Sequence, residues 1–71
     1  MNTTTLNLPP ARSVEYYRNF YAEKYAPVKR MAINTAIDRL DHWQKEPETP
    51  LKRRCVQNLE NILIALGVVE A

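Results

Sequence analysis

A chain of 71 residues makes one small domain, whose core supplies about 3–5 kcal/mol at best, so some further staple is expected. The single cysteine excludes an internal disulfide, and no spaced Cys/His framework suggests a structural metal, which leaves association with another chain. Ten Lys and Arg against eight Asp and Glu leave +2, too mild by itself to imply nucleic acid or an anionic membrane.

Residues 1–12 hold three consecutive threonines, two asparagines and the Pro9-Pro10 pair, a composition that favours extended backbone over helix. They read as an arm. Leu6 and Leu8 alternate with polar neighbours, which would suit an arm lying across an apolar groove; a frayed tail is the plainer alternative. The opening has no charged start followed by an apolar run, and no segment reaches the roughly 20 apolar residues of a membrane span. A cytoplasmic location is expected.

The remainder, 13–71, reads as a single helical domain with helices at about 13–25, 27–45 and 50–66. Ser13 is placed to cap the first, and Glu15 suits the positive end of its dipole. Val14, Tyr17 and Tyr21 share one face, and Tyr16 and Phe20 widen it into an aromatic band. Each hydroxyl in that band needs a partner if it is buried.

Pro27 clashes with continued helix, so a break is expected there, with a new helix that starts without a polar cap. Val28, Ala32, Ala36, Leu40 and Trp43 centre its apolar stripe, and Ile33 and Ile37 extend it to nearly half the circumference. One antiparallel neighbour cannot cover so wide a face. The tract from Glu46 to Pro50 is a short loop of the kind that joins antiparallel helices.

The last helix has the clearest signals in the chain, with Thr49 as N-cap and Pro50 at the first helical position. Leu51, Cys55, Leu59, Ile62 and Leu66 stack into one stripe. Gly67, the only glycine, falls where a left-handed residue ends a helix. Val68 and Val69 are expected to pack back on the end of the bundle. The fold class is therefore all-α: an antiparallel helical hairpin preceded by a short aromatic helix and an extended N-terminal arm. The hairpin alone would leave Ile33, Ile37, Val56 or Leu63 in water, so two copies are expected to pair into a helical-bundle homodimer through Ile33, Ile37, Leu40, Val56, Leu59 and Leu63.

No converging set of acid, base, nucleophile and phosphate-cradling groups is present, so no enzyme, cofactor or metal is expected. Asp38 and His42 have a spacing that can face one metal, but two ligands do not make a site, and a solvated pair is the plainer reading. Cys55 lies within an apolar stripe and reads as a small hydrophobe. The Lys52-Arg53-Arg54 run opposes the dipole of its own helix. Either nearby acids such as Glu46, Glu48, Asp38 and Asp41 offset it, or the helix N-terminus receives a phosphate or carboxylate. Gln57 and Asn61 could read adenine edges, and are equally ordinary exposed positions.

These features favour a small non-enzymatic regulatory protein that binds another protein and modulates or inhibits it, in the manner of compact regulators from phages and other mobile elements. Its expected contacts are Tyr16, Tyr17, Phe20, Tyr21 and Trp43, with Arg53 and Arg54 as charged neighbours. One alternative is a nucleic-acid-associated helical dimer acting in transcription regulation through Lys29, Arg30, Lys52, Arg53 and Arg54. A structural subunit, with the arm threading into a neighbour, is another.

Overall fold

The structure, a computed structural model, describes residues 11–70; the expected arm therefore lies almost wholly outside the described residues. Those residues form three helices, α1 (Val14–Tyr21), α2 (Ala26–Trp43) and α3 (Pro50–Ala65). α3 is the central element, with α2 packed on one side and α1 on another. The connection between α2 and α3 turns the chain back within a few residues, as short helix–helix loops do.

Local chemistry sets each boundary. The Ser13 hydroxyl accepts from the Tyr16 N–H at 3.0 Å and starts α1. That helix stops at Tyr21, four residues short of the expected end, where Lys24 N–H already turns back to the Tyr21 carbonyl. Pro27 bars a continuous helix, because it lacks the N–H that would bond to the Glu23 carbonyl and its ring would clash there; the chain restarts at Ala26, one residue earlier than expected, from an extended Tyr25 with no side-chain cap, and Pro27 falls in the first turn. In α3, the Thr49 hydroxyl accepts from the Lys52 N–H at 3.1 Å, and Pro50 takes the first helical position. At its far end Gly67 has φ +82°. Val68 N–H donates to the Leu63 carbonyl and Gly67 N–H to that of Ile64, the paired bonds of a Schellman cap.

Only Ala36 on α2 and Leu63 on α3 are fully buried among the described residues, at 1% and 4% exposure. Ala36 lets α2 approach α3 closely, as its small side chain suggests. Leu63 corrects the expectation that the hairpin alone would leave it in water, because α1 supplies a second neighbour for α3. Ile33 and Val56 are half-buried, and Ile37 is the residue of that group left exposed, at 48%. Val68 and Val69 do not pack back: they stay 43% and 44% exposed, because the Schellman turn ends the helix before they can reach a neighbour. Leu51, the first member of the α3 stripe, is likewise 46% exposed. It sits in the opening turn of α3.

Candidate functional site

α1 is held on α3 by a polar latch as well as by its rings. The Asn58 Oδ1 accepts from the Arg12 backbone N–H at 2.9 Å and from the Tyr17 hydroxyl at 3.0 Å. The Asn61 side-chain amide donates to the Arg12 carbonyl at 2.7 Å, and Gln57 donates to Asn61 at 2.9 Å. Gln57 and Asn61, candidates for reading base edges, are thus engaged within the chain. Asn58 carries the most of this latch, yet nothing in its spacing distinguishes it from an ordinary exposed position; only the need of a buried tyrosine for a partner hinted that some acceptor had to exist.

The latch fixes how the aromatic face divides. Tyr17 and Tyr21 are half-buried toward the core, whereas Tyr16 and Phe20 are 41% and 48% exposed. Tyr16 stands edge-on to Tyr17 at 5.2 Å, and Phe20 edge-on to Tyr21 at 4.9 Å. Along the helix Tyr16 stacks toward Phe20 and Tyr17 toward Tyr21, at 6.3 and 6.2 Å. The outer rings are flanked by cations: the Arg12 guanidinium lies 4.7 Å from the Tyr16 ring, and the Lys24 ammonium 4.9 Å from that of Phe20. Burial, and secondarily Tyr17, pushes the Tyr21 hydroxyl above its ordinary pKa of 10.0. It gives up its proton less readily as a result, and the Tyr21 hydroxyl is neutral at neutral pH.

Because α1 and α2 both pack on α3 but scarcely on each other, a groove of about 540 Å³ stays open between them. Phe20 and Tyr21 form one wall, Val28, Met31 and Thr35 the other, and Ala36 with Leu59 the floor. Met31 is 69% and Val28 43% exposed beside it. Lys24 and Arg39 line it too, and no carboxylate does. Met31, Thr35, Lys24 and Arg39 escaped the sequence reading. The one available signal was the breadth of the α2 stripe, too wide for a single neighbour.

The other expected contact residues are scattered. Trp43 is half-buried near the C-terminal end of α2, away from the aromatic wall. Lys52 donates to the Glu46 carbonyl at 2.8 Å and lies 3.8 Å from Glu48, which also accepts from Arg53 at 3.1 Å. The Glu48 carboxylate thus offsets Lys52 and Arg53, as the plainer reading expected, whereas Glu46 offers its backbone carbonyl and Asp41 instead faces Lys45 at 3.7 Å. Arg54 is half-buried beside them. Lys29 and Arg30 begin α2 and do not join this cluster. Asp38 and His42 stay exposed on α2, and Cys55 is a half-buried free thiol.

The residues assigned to a homodimer differ in how deeply they are buried. Leu63 is core, Leu59 floors the groove, and Val56 lines a smaller hollow with Glu48 and Arg53. Ile37 lies on the side of α2 away from Val28 and Thr35, at about 3.6 residues per turn. Ile33 and Leu40 are half-buried. Among the described residues no helix is long and apolar enough to cross a membrane. No family model matches the chain, and no curated protein or solved structure is significantly similar to it.

Proposed function

We propose that this is a small non-enzymatic protein that docks on another protein and modulates or inhibits it, by occluding a surface of that partner or by capturing its oligomerisation face. The observation that supports this reading most is the open groove with its exposed rim: Phe20, Val28 and Met31 stay in water on a domain that, among the described residues, fully buries only Ala36 and Leu63. Exposed apolar side chains also stand elsewhere, Ile37 and Leu51 among them, but those around the groove are gathered into one patch, which is what marks a surface that meets a partner. The contact set is accordingly Tyr16 and Phe20 of the original band, with Tyr17 and Tyr21 behind them as support and Met31 as an added anchor. Aromatic rings and arginine dominate the energetics of such surfaces.

Site-specific photocrosslinking tests the reading. A benzophenone amino acid replaces Thr35, in the groove, or Arg30, roughly opposite on α2 and exposed. In lysate of the source cell, the Thr35 probe is expected to give a discrete protein adduct, and the Arg30 probe much less of it. Equal labelling from both positions, or none from either, would overturn the proposal.

A further inference from the structure

The groove also indicates what kind of partner fits it, an inference that rests on the proposed docking function. Three properties decide. The first is length: Val28 and Arg39 bound the α2 wall, which at a rise of about 1.5 Å per residue is roughly 16 Å, three turns of helix. An amphipathic helix with anchors at i, i+3 or i+4, and i+7 needs a trough of that length. The second is chemistry: the interior is ringed by Phe20, Met31, Ala36 and Leu59, with the hydroxyls of Tyr21 and Thr35 as its neutral polar groups. Few polar groups converge to orient a small molecule, which such sites need. The third is charge. Lys24 lies at the α1 side and Arg39 at the end of the α2 wall, and the groove has no lining acid. Arg39 is exposed and makes no ion pair among the described residues.

We infer that the groove between α1 and α2 receives an amphipathic helix of a partner protein that carries carboxylates beside its apolar anchors, with Lys24 and Arg39 as their receptors. A second copy of this chain is the less suitable occupant. Two-fold pairing through the groove would bring four cations and no lining carboxylate into one interface, and like charges across a desolvated surface oppose association. An acidic helix turns the same two cations into attraction and into a preference over basic helices.

Three synthetic helices of equal length test this on the intact protein by fluorescence anisotropy. One has leucine anchors flanked by glutamates, one the same anchors flanked by lysines, and one the glutamates with serines in place of the leucines. The first is expected to bind about tenfold or more tightly than either of the others. Added salt should narrow its lead over the lysine peptide. Arg39→Glu, an exposed substitution, leaves one cation against one carboxylate in the groove and should bring the first two peptides to nearly equal affinity. Equal affinity of the unsubstituted protein for both leucine peptides would overturn the inference. So would equal binding of the serine peptide, which would mean a general polyanion surface, or failure of all three to bind. Light scattering that shows a dimer whose groove is closed to the first peptide would overturn it as well. Each of these failures leaves the photocrosslinking result standing, so the partner chemistry and the docking function fail separately.

Discussion

Asn58 is the residue on which the placement of α1 most depends, since one side-chain oxygen accepts both the Arg12 N–H and the Tyr17 hydroxyl. A net hydrogen bond is worth about 1 kcal/mol, and an orphaned partner costs more. Asn58→Ala should therefore destabilise the fold by about 1–3 kcal/mol, and Tyr17→Phe by about 1 kcal/mol. The two losses should be less than additive in a double-mutant cycle followed by urea denaturation, because they share a bond. Strict additivity would mean that the bond contributes nothing. Tyr21 adds a pH dependence. Its folded pKa is raised above 10.0 by burial and by Tyr17, so the unfolded chain ionises first. The stability this lends is complete below about pH 10 and is lost as pH rises through the folded value. Denaturation midpoints should fall above pH 10, and less steeply in Tyr21→Phe.

At the scale of elements, α3 is the organiser, and both its ends are defined by side chains and backbone bonds visible in the structure. Thr49→Ala removes the bond to Lys52 N–H and should cost about 1 kcal/mol. Gly67→Ala meets no atom within 4 Å at its Cβ, so its cost is purely that of a left-handed backbone, about 1–2 kcal/mol. Gly67→Asn should cost less, which a thermal melt of both variants would show. These ends were legible in the sequence because caps are local: Thr49, Pro50 and Gly67 act on atoms a few residues away. The loop and the break at Pro27 were legible for the same reason. The end of α1 was not, since nothing in the run after Tyr21 announces a stop before Pro27. Equally hidden was the docking of α1 on α3, which depends on Asn58 and Asn61 meeting a backbone segment 46 to 49 positions earlier. That omission is why Leu63 was assigned to a surface when it belongs to the core.

The whole molecule is a domain with two fully buried side chains among the described residues, and its margin is narrow. Leu63→Ala should cost about 2–5 kcal/mol, comparable with the entire stability of a domain this small, and is expected to leave the chain largely unfolded. Substitution at the groove rim should behave differently. Met31 is 69% exposed, and exposed changes of this kind stay within about 0.5 kcal/mol. The sequence indicated surplus apolar surface but not its location, because a helical wheel gives the width of a stripe and not the angle at which a third helix leaves part of it open. The direct test of the account is therefore the yield of the Thr35 photo-adduct in protein that also carries Met31→Asp. Burying that carboxylate under a partner should lower the yield about tenfold or more, with the urea midpoint unmoved. An undiminished yield, or one lost only in step with unfolding, would contradict the claim that this groove is where the protein meets its partner.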